Sequence, residues 1–332
     1  MKNIMLSNLL FATTLAICMP VHADLAPDEI LSLPGADIYP ESMAQDSKTG
    51  KLFVGSFYAG DVLQIVNGKS SVFIPNSRDD IHSVVGIAVD SKRRRLWVCN
   101  SEAGASAKNT KETTGRSFVH VYNVDTGSLL KKIPLDNGGG HFCNDIAVSS
   151  DGSAYITDSF SPTIWKVGPE LMAQAWLVND QFKGEGFNLN GIQLTPDEKY
   201  LLVNKMNEGK IFRIGLRDKS VLNVTLDRPI EGGDGMQLLT SHMLLMVEGF
   251  GAKTPGIAKL TFTEDYSSAS VDDKVTSGAF DTPTAVRSAG ENVYVVNSRF
   301  NHLFKRDTYG PPVGPFSIVR FARHQPARPG AF

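Results

Sequence analysis

Four oxygen-bearing side chains stand at corresponding points of short strand-like units: Glu41 in PESM, Asn144 in CNDIAV, Asn190 in LNGIQL and Asp234 in GDGMQL. Carboxylates and carboxamides without His or Cys suit a hard cation, and Ca²⁺ accepts about six to eight such oxygens in loose geometry, with water completing its shell. The carboxylates of Glu41 and Asp234 balance a divalent charge. Mg²⁺ demands a tighter octahedron and usually keeps waters or phosphates, so calcium is expected, with another divalent cation as the alternative. A cation so held polarises a carbonyl or phosphoryl oxygen and stabilises the developing oxyanion, while a nearby carboxylate takes a proton from water. Asp234 is the first candidate for base or nucleophile and Asp145 the second. Their alternatives are a metal-ligand role for Asp234 and a supporting role behind the metal for Asp145. Any one of these residues taken singly reads more simply as a strand-entrance cap bonded to backbone. Four at one repeated position weigh against that.

The elements that must position them recur along the chain. PESMAQDSKTGKLFVGS begins at Pro40, VVGIAVDSKRRRLWVCN at Val84, CNDIAVSSDGSAYITDS at Cys143, LNGIQLTPDEKYLLVNK at Leu189, GDGMQLLTSHMLLMVEG at Gly233 and PTAVRSAGENVYVVNSR at Pro283. Each is an apolar strand, a polar turn and a second apolar strand, at the spacing of propeller blades. One such sheet cannot hide both faces, so the units must stack about an axis. The expected fold is all-β: a six-bladed β-propeller with a central channel, closed by pairing of a strand near Asp28 to Leu33 with one near Phe316 to Phe321. The residues opening the inner strands would then be Glu41, Val85, Asn144, Asn190, Asp234 and Pro283, all facing one axial space.

The chain has 332 residues, and 33 Lys and Arg against 35 Asp and Glu give a formal charge of −2. That balance provides no footprint for nucleic acid or an anionic membrane. The run Lys92-Arg93-Arg94-Arg95 reads as a solvated turn. Residues 1–23 join a Lys-bearing start to an apolar stretch and end in Val21-His22-Ala23, the pattern of a secretory signal peptide cleaved before Asp24. Residues 24–332 would form one propeller domain in the periplasm or outside the cell, with no membrane attachment after cleavage. Cys99 and Cys143 remain there; an oxidising compartment permits a disulfide between them, and buried free thiols are the alternative.

With YPES at Glu41, CNDIAV at Asn144, LNGIQLTPD at Asn190 and GGDGM at Asp234, the sequence resembles the regucalcin/gluconolactonase family of calcium-dependent propellers, whose relatives include diisopropylfluorophosphatase and the paraoxonases. The resemblance implies Glu41, Asn144, Asn190 and Asp234 around a catalytic calcium. It also implies hydrolysis of a small-molecule lactone or related ester, of the lactonase or arylesterase type, extending in some members to organophosphates. The second blade departs from that pattern: Ser83-Val84-Val85-Gly86 has neither the polar groups expected for a sugar lactone nor a paraoxonase-like histidine, which suggests a less polar substrate. Further channel candidates are Asn100, Asp158 and Asn297 at the ends of second strands, with His141 and His302 as proton shuttles; turn-forming or exposed roles are the plainer readings. The polar segment Ser101 to Ser117 is either a flap over the channel or a surface loop. Two other function classes remain open: a non-catalytic propeller that uses the cation structurally and binds a ligand or protein, and a strictosidine-synthase-like condensing enzyme, against which the acidic and amide ring speaks.

Overall fold

In a computed structural model of the chain, residues 23–272 and 274–323 are described. The expected signal segment, up to residue 22, lies outside them. Strands rich in Val, Ile and Leu build six sheets whose inner strands pair antiparallel, a six-bladed β-propeller. The inner strands are Pro40–Gln45, Val84–Asp90, Cys143–Val148, Leu189–Leu194, Gly233–Leu238 and Pro283–Ala289, and each packs beside the next around the ring, the last against the first.

Second strands such as Leu52–Ser56 and Ala154–Asp158 are buried along their whole length, because both faces of a blade meet another blade. Phe53, Val62, Ile74, Ile87, Val98 and Tyr122 fill the seam between blades 1 and 2 in this way. The outer strand of blade 1, Lys69–Ile74, is largely exposed, having solvent on one side. Glu29–Ser32 pairs antiparallel with Ser317–Ala322 and supplies the outer strand of blade 6, so the ring is closed as the sequence suggests. Blade 5 carries extra edge strands, among them Ala23–Asp24 on Val275–Thr276.

Two tethers hold neighbouring blades together. Cys99 of blade 2 and Cys143 of blade 3 form a disulfide, Cα atoms 5.3 Å apart, which decides between the two readings of these cysteines. The basic run is a turn as expected: Arg94 pairs with Asp46 (2.7 Å) and Asp125 (2.5 Å), and Arg93 with Asp90 (3.1 Å). Among the described residues no helix is long and apolar enough to cross a membrane.

Candidate metal centre

Every inner strand breaks register with its neighbour at the same place. In blade 3, Cys143 pairs with Asp158 and Ile146 with Ile156, so Asn144 and Asp145 together face Thr157 alone. The same bulge falls at Glu41-Ser42, Val85-Gly86, Asn190-Gly191 and Asp234-Gly235. A bulge inserts one extra residue and re-aims its side chain, here toward the channel. Where the second bulge residue is glycine, it lies against the next blade with no room for a side chain. A Cβ on Gly86 would come within 2.1 Å of the Asn144 carbonyl oxygen, and one on Gly191 within 2.6 Å of that of Asp234.

In blade 6, Pro283 pairs with Asn297 and Ala285 with Val296, which leaves Thr284 as the irregular residue. The sixth opener is therefore Thr284 rather than Pro283. Its hydroxyl donates to the Glu41 carbonyl (2.5 Å), tying the last blade to the first.

Glu41, Asn144, Asn190 and Asp234 thus meet at the floor of one cavity of about 210 Å³. All four are buried, at 4–7 % exposure. The Asn144 amide donates to Ser159 Oγ (2.9 Å) and that of Asn190 contacts Met206 Sδ (3.6 Å). These contacts take up the nitrogen ends and leave the carboxamide oxygens as donors to a ligand. Glu41 Oε2 is buried and has no hydrogen-bond partner. Burial, followed by the charges of Asp234 and Asp145, pushes the Glu41 carboxyl well above its ordinary range, and burial does the same to Asp234. Among the described residues no group of three or more His, Cys, Asp and Glu could hold a metal; the set at this floor draws half its oxygens from asparagine.

Asp145 is not in the wall of that cavity. It lies on the other side of the ring, in a narrow space shared with Ser42, Thr284 and Arg287. Its Oδ1 accepts from Ile146 N–H (2.9 Å) and its Oδ2 from Ile192 N–H (3.3 Å), with Arg287 Nη2 at 3.8 Å. Burial raises its carboxyl while Arg287 and the two backbone donors counter that. Both oxygens are committed, which suits a support behind the floor rather than a proton acceptor.

Sequence reasoning missed Arg287. Its guanidinium crosses the channel and donates to the carbonyls of Met43 (2.8 Å) and Met236 (2.9 Å), joining blades 6, 1 and 5. The only signal was a cation in an otherwise uncharged inner strand, PTAVRSA. Three carboxylates and this one guanidinium leave a formal charge of −3 + 1 = −2 around the floor, the charge a divalent cation neutralises.

The other sequence candidates stand outside the cavity and fasten the loops that lead into the inner strands. Asn100 Oδ1 accepts from His82 N–H (3.0 Å), Asp158 Oδ1 from Phe142 N–H (2.9 Å), and Asn297 Oδ1 from Asp281 N–H (3.1 Å). The same position does this work in the remaining blades through Ser56 on Ile38, Lys205 on Gln181 and Glu248 on Glu231. His141 is buried with Nδ1 2.7 Å from Asp158 Oδ2, which also accepts from Trp165 Nε1 (3.0 Å). His302 bonds the Gly310 carbonyl (3.0 Å) from the short helix Phe300–Phe304. The Ser101 to Ser117 segment folds on itself around Glu102, whose Oε1 accepts from Gly104 and Ala105 N–H at 2.8 and 3.1 Å, and is pinned down where Ala107 N–H donates to the Tyr58 carbonyl (2.9 Å) and Lys108 Nζ to that of Ile81 (2.9 Å); none of its residues lines the cavity.

Comparison with solved structures agrees with this architecture. A gluconolactonase from Xanthomonas campestris superposes with a TM-score of 0.61 at 17% identity, covering 88% of this chain and 89% of that one. Regucalcin of Agrobacterium tumefaciens, a calcium-binding protein, gives 0.59 at 12% identity over 86% and 90%. Virginiamycin B lyase of Staphylococcus aureus gives 0.58 at 14% identity over 89% and 98%. The similarity to gluconolactonase and regucalcin expected from the motifs is present as a shared fold. A lyase on the same fold means that the architecture alone does not select a reaction. No family model and no curated protein sequence matches the chain.

Proposed function

We propose that the protein is a calcium-dependent hydrolase of a lactone or a related ester. The reading rests on one arrangement: Glu41 Oε2, buried and unpartnered, in a ring of four oxygen-bearing side chains from four blades at the floor of an apolar-walled cavity. A buried ionised carboxylate without a partner is costly, and a cation relieves that cost. Glu41, Asn144, Asn190 and Asp234 would hold it, and when bound it supplies Lewis acidity toward a substrate carbonyl oxygen.

The chain's own groups divide the remaining work. Ser159 and Met206 orient the two carboxamides. Arg287 and Asp145 brace the ring from behind. Asp234, the carboxylate at the floor on the blade 5 side, takes the proton from water as it adds to the carbonyl and returns it to the ring oxygen as the acyl C–O bond breaks, and the ring-opened hydroxy acid leaves through the mouth. The apolar walls displace bulk water, so charges on the floor act in a medium of low polarity. Aryl esters and phosphotriesters offer the same oxygen chemistry and are candidate side substrates.

We also propose export to the periplasm or the cell exterior, which the signal-like residues 1–23 and the Cys99–Cys143 disulfide support.

The test is a panel of lactones and aryl esters offered to the purified protein with calcium and with chelator. Turnover that calcium restores and chelator removes is expected. Activity indifferent to chelator would refute the metal dependence. A calcium-induced rise in melting temperature without any turnover would instead favour a non-hydrolytic propeller with a structural cation.

A further inference from the structure

Above its polar floor the cavity is walled by phenyl rings on two sides. Phe57, Phe250, Phe300 and Phe304 come from blades 1, 5 and 6 and form one cluster, with ring centroids 5.0 Å apart for Phe57–Phe300 and 5.8 Å for Phe250–Phe304. Phe142 and Phe187 from the entrances to blades 3 and 4 form the facing wall, 5.2 Å apart, with Phe160 stacked behind them at 5.0 and 5.2 Å. Blade 2 adds Val85 and blade 4 adds Met206, so every blade presents an apolar group. Below this belt the lining changes to Glu41, Asn144, Asn190 and Asp234. Phe304, at 42% exposure, sits at the rim.

We infer that this cavity takes lactones or esters whose non-reacting part is an alkyl or aryl group, and discriminates against polyol lactones. The inference rests on the hydrolase reading for its reaction and on the walls for its specificity. The four floor side chains are the polar groups of the lining, and the cation and the ester function would occupy them. Hydroxyls elsewhere on a substrate would press against phenyl faces. A buried hydroxyl left unpaired costs on the order of tenfold to a hundredfold in affinity. An alkyl chain in the same place gains about fourfold for each methylene removed from water. The volume of about 210 Å³ leaves room for a lactone ring with a short chain or a phenyl group.

The test separates specificity from reaction by using non-hydrolysable lactams beside the cognate lactones. With calcium present, calorimetry should show an alkyl-substituted γ-lactam binding at least tenfold tighter than gluconolactam, and turnover of the matching lactones should follow the same order. Phe304→Ser and Phe250→Ser, which change the rim and the half-buried wall, should each reduce that preference several-fold while the calcium-induced melting shift persists. Tighter binding of the alkyl lactam without turnover of its lactone would uphold the specificity and remove the hydrolase reading. Equal or tighter binding of the polyol lactam would overturn the inference.

Discussion

Replacing Asp234 with Asn removes one carboxylate from the floor while keeping its shape, and the effect on calcium binding can be worked from the structure. The floor carries a formal −2 from Glu41, Asp145, Asp234 and Arg287, and Asp234→Asn halves it. Calcium at a hundred times its dissociation constant stabilises the native state by about 2.7 kcal/mol. Unfolding entropy of about 2.1 cal/mol/K per residue, over about 300 described residues, converts this to a rise in melting temperature of about 4 °C. If the lost carboxylate weakens binding about a hundredfold, the same calcium concentration yields about 0.4 kcal/mol, under about 1 °C. Differential scanning fluorimetry with calcium and with chelator reads both values. The reasoning fails if the variant keeps the full calcium shift, or if the unaltered protein shows none up to millimolar calcium.

Arg287→Met should destabilise the protein by about 3 to 5 kcal/mol, because Asp145 loses its nearby cation and the blade 1 and blade 5 carbonyls lose a shared donor; urea denaturation in chelator measures it. Replacing Cys99 and Cys143 with Ala opens a link spanning 44 residues, a loss of about 4 kcal/mol by loop entropy, read from the same denaturation midpoint. The bond to Asp158 holds the His141 imidazole above its ordinary value despite burial. Burial of Asp158 is outweighed by the bonds from His141, Phe142 N–H and Trp165, which keep its carboxyl low. A raised His stabilises below its unfolded value near about 6.5 and loses that as pH rises through the folded one. A lowered Asp stabilises above about 3.9 and loses that as pH falls through its depressed value. The melting difference between the native protein and His141→Gln should therefore be largest between about pH 4 and 6.5 and shrink toward alkaline pH; a difference that grows above pH 8 would contradict the pairing.

The blades were legible because each repeats one local pattern, and the ring followed from the need to bury two faces of every sheet. The metal-centre candidates were legible for the same reason, since a repeat turns distant residues such as Glu41 and Asp234 into neighbours. Thr284 was misplaced by one residue because the bulge, a feature of pairing, shows in sequence only when the Pro283-Thr284 step is aligned on Pro40-Glu41. Asn100, Asp158 and Asn297 looked like channel residues because they end buried strands. Their work as loop clamps becomes visible only with the partner backbone in place. The phenyl walls escaped because Phe57, Phe142, Phe187, Phe250, Phe300 and Phe304 sit in connecting segments without a fixed period. Only Val85 hinted at an apolar site.

The most direct measurement titrates calcium into chelator-treated protein and follows binding by calorimetry and lactone hydrolysis in parallel. One ion per chain should bind, hydrolysis should rise over the same concentrations, and Glu41→Gln should lose both. Hydrolysis that is complete before calcium binds, or calcium bound at full affinity by Glu41→Gln, would show that the four-oxygen floor is not where the chemistry is held.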